Sequence, residues 1–138
     1  MPALPTIRAG ERQQMPLTHS HFENALVLAP TGRLDHDNCE AFREDLAPHL
    51  EGAAKDGTSI VLDLSRLEYV SSAGLRCFML AAKQAKAQNS RIVIAAMQPV
   101  VSEIFQIARF NLVFEAYPKV RDALAALSPA AVAAFDRG

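Results

Sequence analysis

No run of about 18 or more apolar residues occurs in the chain, and a helix that crosses a membrane needs about that many. The first residues (MPALPTIRAGERQQMP) carry three prolines and no apolar h-region, so they do not resemble a signal peptide. We therefore expect no direct membrane insertion and a cytoplasmic location. Residues 1–16 are expected to form a flexible N-terminal arm, followed by a single domain over 17–138.

Excess charge and cysteine are also lacking. The chain has 14 basic and 15 acidic side chains and a net charge of −1, so no basic excess points to nucleic acid. Cys39 and Cys77 have no CxxC spacing, and in a reducing cytosol both are expected to pack as small hydrophobes. No cysteine or carboxylate joins the histidines at ligand spacing, so we expect no metal site. The histidines are His19, His21, His36 and His49.

Motifs for catalysis and nucleotide binding are missing as well. The chain has neither a P-loop nor a GxGxxG sequence, so nothing predicts a nucleotide cofactor. Ser72 lacks the preceding glycine of the GxSxG hydrolase elbow, which makes a small hydrolase the least favoured function. Asp35, His36 and Asp37 are better explained by helix capping and solvation, and Asp63 by a hydrogen bond that caps a loop. We therefore expect no enzyme and no cofactor.

Hydrophobic periodicity predicts alternating strands and helices. Helices are expected where apolar residues recur at helical spacing, and strands where they run together or alternate. Asp37 with Glu40 resembles a capping box and predicts the start of the first helix. The predicted helices span 37–51, 72–88, 99–108 and 118–127, with a further turn or two after Ser128-Pro129. The predicted strands span 17–22, 25–29, 59–64, 91–96 and 113–116.

This element order predicts an α/β fold. Strands that alternate with helices of this length form a mainly parallel sheet with crossover helices. The first strand is expected to run antiparallel to its neighbour, because only a tight turn joins them. We expect a four- to five-stranded, mixed but mostly parallel sheet with about four helices, and strand 59–64 at its centre. The predicted core contains Phe42, Leu46, Ile60, Leu62, Leu64, Phe78, Ala82 and Val93.

The most informative stretch is VLDLSRLEYVSSAGLR, residues 61–76. A buried strand leads through a short loop to Ser71, Ser72 and Gly74, which open a helix. The free amides and the dipole at a helix N-terminus favour an anionic group. Gly74 has no side chain, so another backbone or a phosphate can approach it closely. On these residues alone, simple N-capping by serine is the alternative to a regulatory site.

This stretch resembles the signature of the STAS family of bacterial anti-sigma-factor antagonists. The resemblance covers residues 17–127 and implies the STAS-type fold, with the same element order. The family's regulatory serine precedes the motif glycine by two positions, which implies phosphorylation at Ser72, with Ser71 as the second choice. The matching segments are Asp63 to Arg76, Gly32-Arg33-Leu34-Asp35, and Phe114-Glu115-Ala116-Tyr117-Pro118 followed by Ala123-Leu124.

The resemblance also implies a function in partner switching. An unmodified antagonist binds an anti-sigma factor that is also a serine protein kinase. The kinase phosphorylates and releases the antagonist, and a PP2C-type phosphatase resets it. Many phosphorylated members carry Asp before the serine, where this chain has Ser71, so a non-phosphorylated STAS subunit of a lipid- or ion-transport assembly is the alternative. The residues expected to contact a partner are Ser71, Ser72, Gly74, Leu75, Arg76 and Met79.

Overall fold

The computed structural model describes residues 17–138, so the arm expected over residues 1–16 lies outside the described residues. Strands and helices alternate along most of this part of the chain, as the periodicity predicts. The strands are β1 (Leu17–Phe22), β2 (Ala25–Pro30), β3 (Gly32–Leu34), β4 (Ser59–Asp63), β5 (Leu67–Val70), β6 (Ile92–Ala95) and β7 (Ala116–Tyr117). The helices are α1 (Cys39–Asp56), α2 (Ser72–Ala87), α3 (Pro99–Ile107), a 3₁₀ helix (Phe110–Leu112), α4 (Val120–Leu127) and α5 (Pro129–Asp136).

Five strands form the main sheet, in the order β1-β2-β4-β6-β7. β1 pairs antiparallel with β2, and the other neighbours are parallel. The central strand β4 places Ile60 beside Leu26 on one side and Ile92 on the other. Ile60 and Val61 have no solvent exposure, as expected for a strand that is covered on both faces. The predicted fold class and the central position of strand 59–64 are confirmed.

Helices cover both faces of this sheet. α1, α2 and α3 pack on one face, where Phe42, Phe78 and Phe105 are buried together. The Phe78 ring centroid lies 5.5 Å from that of Phe42 and 5.4 Å from that of Phe105, in the tilted and edge-on arrangements that aromatic pairs prefer. α4 and α5 cover the other face, where Ala123 and Leu124 have no solvent exposure. The sheet is therefore held between two layers of helices.

The residues predicted for the core are buried with one exception. Ala82 is only half-buried, because it faces a surface cleft beside α2. Both cysteines pack in the core as free thiols, as expected. The Cys77 Sγ–H donates a hydrogen bond to the backbone oxygen of Cys39 at 3.2 Å, and burial raises the pKa of the Cys77 thiol to about 12.

α1 begins two residues later than predicted, and the capping box at Asp37 is wrong. Asn38 occupies the N-cap position, but its side chain holds the preceding turn instead of the helix. Its Oδ1 accepts a hydrogen bond from the Asp35 N–H at 2.9 Å, and its Nδ2 donates to the Arg33 oxygen at 2.7 Å. These local bonds satisfy the turn and delay the first helical residue to Cys39.

α1 also ends five residues later than predicted, at Asp56 instead of residue 51. The prediction stopped at Gly52, since glycine disfavours a helix interior by about 1 kcal/mol. Burial of Leu50 and Ala53 against the core outweighs that preference. Gly57 then ends the helix in the left-handed conformation, with a φ of 69°.

The chain also contains a separate two-stranded parallel sheet, β3 with β5, which the sequence did not predict. β3 has three residues and β5 has four, which is too short for an alternating pattern to show. Gly32 makes the turn into β3 possible, because its φ is 102° and its N–H donates to the Arg66 oxygen at 2.9 Å. The second strand of this small sheet, β5, leads directly into α2.

The C-terminal third differs from the prediction in detail. The strand predicted over 113–116 begins three residues late and has only two residues, β7, because a turn that follows the 3₁₀ helix occupies the start of the predicted segment. Burial of Phe110 and Phe114 in the core explains the tight turn. α4 begins at Val120, two residues after its predicted start. α5 follows as a helix of two turns, and Ser128 caps it, because its hydroxyl accepts a hydrogen bond from the Ala131 N–H at 3.3 Å.

Candidate functional site

The loop between β4 and β5 fixes the approach to the site. The Asp63 carboxylate accepts a hydrogen bond from the Ser65 N–H at 3.0 Å, which is the loop-capping role expected for it. The Gln98 side chain, just before α3, donates to the Ser65 oxygen at 2.8 Å. The Leu64 N–H donates to the Ala95 oxygen at 2.9 Å, so the loop is held to β6 as well. The segment leading to α2 is therefore fixed at several points.

Ser71 is the N-cap residue of α2. Its backbone is extended, and its Oγ accepts a hydrogen bond from the Gly74 N–H at 3.2 Å. Its own N–H donates to the Leu34 oxygen at the end of β3, at 2.8 Å. Ser71 is half-buried, and its hydroxyl is engaged in capping. Capping therefore occupies the hydroxyl of the second-choice serine, and Ser72 is the serine that lies on an exposed residue.

Ser72 is exposed and is the first residue of α2. At helical spacing Leu75, Arg76 and Met79 share its face of the helix. Arg76 is exposed, whereas Leu75 and Met79 are half-buried and pack against the core. The structure thus brings four of the six predicted contact residues onto one exposed face, which we call the Ser72 face. Its centre combines a hydroxyl, a cation and two partly exposed apolar side chains.

Gly74 is buried and has an internal reason to be glycine. A Cβ at this position would lie 2.8 Å from the Leu34 oxygen, 2.9 Å from Cγ1 of Val70 and 3.0 Å from Cγ of Leu34. The close approach of another backbone that was expected at Gly74 is therefore that of β3. The missing side chain lets β3 support the first turn of α2.

Charged groups surround the helix start. The Arg43 Nη2 donates to the Glu40 carboxylate at 2.8 Å, and this arginine, with a smaller contribution from Arg76, holds the pKa of Glu40 below its usual range. Beside this ion pair, α1 and α2 leave a cleft of about 460 Å³, lined by Glu40, Arg43, Arg76 and Cys77 among others. On the other side, the Arg33 guanidinium stacks over the Tyr69 ring at 4.4 Å. Three arginines, Arg33, Arg43 and Arg76, therefore lie on β3, α1 and α2, the elements that meet at the start of α2.

Other polar residues weighed in the sequence do not form a site. Within residues 17–138, no group of three or more histidine, cysteine or acidic side chains could hold a metal ion. The Asp35 carboxylate accepts from the Asp37 N–H at 3.0 Å, in a turn that precedes α1. His36 is highly exposed and lies 3.1 Å from Asp37. In the same part of the chain, no helix is both long and apolar enough to cross a membrane.

One contributor to the site escaped the sequence reasoning. Leu34 supports both Ser71 and Gly74 through its backbone, and a backbone contact leaves no mark on residue type.

Comparison with known proteins decides the family. The family model described as "Mlab, STAS domain" matches residues 17–115, which include the two-stranded sheet, four of the five strands of the main sheet and the Ser72 face. The chain belongs to the STAS domain family. This agrees with the resemblance carried by residues 61–76.

This STAS domain is similar to several proteins that are described as anti-sigma factor antagonists. BtrV of Bordetella bronchiseptica, provisionally assigned to that role, is 35% identical over 100 residues, which cover 72% of this chain and 84% of BtrV. A Thermotoga maritima structure with the same provisional assignment superposes with a TM-score of 0.71 at 16% identity, covering 79% of this chain and 92% of that one. The unphosphorylated anti-sigma factor antagonist SpoIIAA gives a TM-score of 0.64 at 17% identity, covering 81% and 96%. At these identities, the two structures establish the shared fold.

Proposed function

We propose that this STAS domain is an anti-sigma factor antagonist, a protein-binding module whose contact with an anti-sigma factor is controlled by phosphorylation of Ser72. The observation that carries the proposal is the exposed serine at the first position of α2, beside a second serine that caps the helix. The assignment of BtrV, at 35% identity, supports the partner class. The proposal treats residues 17–138 as one domain with no catalytic step of its own.

The geometry favours Ser72 over Ser71 as the modified residue. A kinase must reach the hydroxyl, and the hydroxyl of Ser71 accepts the Gly74 N–H while that of Ser72 lies on an exposed residue. A phosphate on Ser72 would sit at the positive end of the α2 dipole, which stabilises negative charge there. We therefore expect the phosphorylated domain to stay folded, so the effect of the phosphate falls on the partner contact.

The phosphate would change the Ser72 face in two ways. It adds roughly 1.5 to 2 negative charges, which a close protein contact would have to desolvate. It also lies four residues before Arg76, the spacing at which side chains on a helix meet, so the arginine can pair with it. An Arg76 held by the phosphate is no longer available to an acidic group of a partner. Both effects weaken the same contact, which includes Leu75 and Met79 at its centre.

The proposal implies further partners and a location. The anti-sigma factor is expected to be the serine protein kinase itself, and a PP2C-type phosphatase is expected to remove the phosphate. A kinase that uses ATP places the exchange in the cytoplasm. No nucleic acid is needed for it, in keeping with the net charge of −1.

The experiment uses each candidate anti-sigma factor/serine kinase encoded beside the gene, with ATP and the full chain. Mass spectrometry should find one phosphate on the wild type and on Ser71→Ala, and none on Ser72→Ala. Ser72→Asp should weaken kinase binding by about tenfold or more, with an unchanged far-UV spectrum.

Ser71→Ala is the matched control, because it removes the neighbouring hydroxyl, which caps α2 and is not the proposed site of phosphorylation. It should lower the free energy of unfolding by about 1 kcal/mol through loss of the cap, whereas Ser72→Ala should leave stability nearly unchanged. Equal kinase binding by the wild type, Ser72→Asp and the phosphorylated form would defeat the switch. That result would favour the static subunit of a transport assembly instead.

A further inference from the structure

A second surface lies toward the C-terminal end of α2, where α2 and the segment around the 3₁₀ helix leave a cleft of about 460 Å³. This volume is within the roughly 300–1,000 Å³ of clefts that bind ligands. We call it the basic cleft. Its lining residues include Met79, Ala82, Lys83, Lys86, Leu112 and Val113.

The lining of the basic cleft leaves apolar surface uncovered. Leu112 is 77% exposed and Val113 is 39% exposed, and they are two of the four large hydrophobic residues exposed within residues 17–138. Met79 and Ala82 on the opposite wall are half-buried. Removing such surface from water is favourable, so a partner that inserts an apolar side chain here gains free energy. Apolar side chains therefore line both walls of the cleft.

The rim of the basic cleft carries positive charge without compensation. Lys83 and Lys86 are exposed, and neither ammonium lies within ion-pair distance of a carboxylate of residues 17–138. Arg91 also lines the cleft, but its Nη2 donates to both oxygens of Glu115, at 3.0 and 2.9 Å. The two lysines therefore present the uncompensated charge of the cleft. The chain as a whole has a net charge of −1, so this charge is a local feature.

We propose that the basic cleft binds an acidic segment of another protein, which inserts a large apolar side chain beside Leu112 while its carboxylates meet Lys83 and Lys86. Opposite charge at the rim and apolar walls match that chemistry. A single apolar side chain fits a cleft of about 460 Å³ and can contact both walls. Residues 1–16 of the chain itself carry two arginines and one glutamate, a charge that the lysines repel.

The basic cleft is separate from the action of a phosphate on Ser72. α2 rises 1.5 Å per residue, so Lys83 and Lys86 lie roughly 16 and 21 Å along the helix from Ser72. These distances exceed the Debye length of about 10 Å at 0.1 M salt, and both groups are exposed. Binding in the cleft should thus be insensitive to the state of Ser72. Met79 lies on both surfaces, so this separation concerns the charge of the phosphate and not the contact of a partner with the Ser72 face.

The test selects short random peptides displayed on phage for binding to the immobilised full chain, with Leu112→Asp as the counter-selection. Selected peptides should share Asp or Glu around a large apolar residue. They should bind wild type about tenfold or more tightly than either Leu112→Asp or the Lys83→Glu/Lys86→Glu double variant. Amide resonances of Ala82 and Val113 should shift when a selected peptide binds.

Matched controls make the result specific to the cleft. Ile107 is 77% exposed like Leu112 but does not line the cleft, so Ile107→Asp should bind the selected peptides as wild type does. Lys119→Glu reverses the charge of one lysine outside the cleft and should also bind normally. Ser72→Asp should retain peptide binding, which separates this proposal from the switch.

Several results would overturn the assignment. These are a failure to enrich acidic peptides over the counter-selection, an equal loss of binding in Ile107→Asp, or a loss of peptide binding in Ser72→Asp. Binding to phosphatidylglycerol vesicles that Leu112→Asp abolishes, without any acidic peptide selected, would assign the surface to a membrane instead.

Discussion

Replacing Gly74 with alanine tests how the start of α2 is held. The added methyl group would lie 2.8 Å from the Leu34 oxygen and 2.9 Å from Cγ1 of Val70. The Val70 side chain can shift, but the Leu34 oxygen cannot easily move, because it is a backbone atom that also accepts the Ser71 N–H at 2.8 Å. The strain must therefore displace the first turn of α2 or the end of β3.

The expected magnitude is a balance of two effects. Extra methyl groups in a packed site typically cost about 1–3 kcal/mol. Alanine in place of glycine stabilises a helix by up to about 1 kcal/mol. For Gly74→Ala we expect the clash to prevail and the free energy of unfolding to fall by about 1–2 kcal/mol.

Gly52→Ala is the matched control within the same protein. Gly52 also lies inside a helix, but nothing is within 4 Å of the Cβ that alanine would add. This variant should gain about 0.5–1 kcal/mol. Urea unfolding of both variants should separate their midpoints by about 1 M. If Gly74→Ala is stabilised as much as Gly52→Ala, the support of α2 by Leu34 is wrong.

Further predictions concern the core and the buried thiol. Phe78→Ala removes a ring that packs between Phe42 and Phe105, and it should lower the free energy of unfolding by about 3–5 kcal/mol in urea titrations. Val100→Ala, at an exposed apolar site, should change it by less than about 0.5 kcal/mol, and equal effects of the two would refute the packing argument. The pKa of Cys77 is raised to about 12, above the value of about 8.5 for a free thiol, so its contribution to stability should be present below about pH 8.5 and be lost as the pH rises toward 12. Unfolding of wild type and Cys77→Ala compared across that range measures it, and parallel profiles would count against the shift. Iodoacetamide should alkylate Cys77 slowly in the native protein and rapidly in urea.

Much of the architecture could be predicted because it depends on long apolar patterns. The run at 59–64 is apolar on both faces, which required a covered central strand, and the stripe containing Phe42 and Leu46 required a helix against it. The wrong predictions concern segments whose structure depends on a few local hydrogen bonds. Asn38 stabilises a turn at the place where the sequence pattern predicts a capping box at Asp37. β3 has too few residues to show a hydrophobic period.

In the candidate site, too, some features could be predicted from the sequence and others could not. The start of α2 at the two serines could be predicted, because serine is a favoured N-cap residue, and the structure has Ser71 as the cap and Ser72 exposed beside it. The role of Leu34 could not be predicted, since it acts through a carbonyl that any residue would provide. Exposure of Leu112 was also hidden, because this residue lies between the predicted helix 99–108 and the predicted strand 113–116, and the 3₁₀ helix that contains it was not expected.

The contact of β3 with the start of α2 has a consequence for genetics. Two positions of the helix start rest on the Leu34 carbonyl, so the location of Ser72 depends on how Gly32–Leu34 pairs with Leu67–Val70. A strand of three residues is easily displaced, since few backbone bonds hold it. In a selection for altered signalling, we expect alleles to arise in the codons for these two short strands. Such alleles would shift the serine in space while leaving every residue of the Ser72 face unchanged.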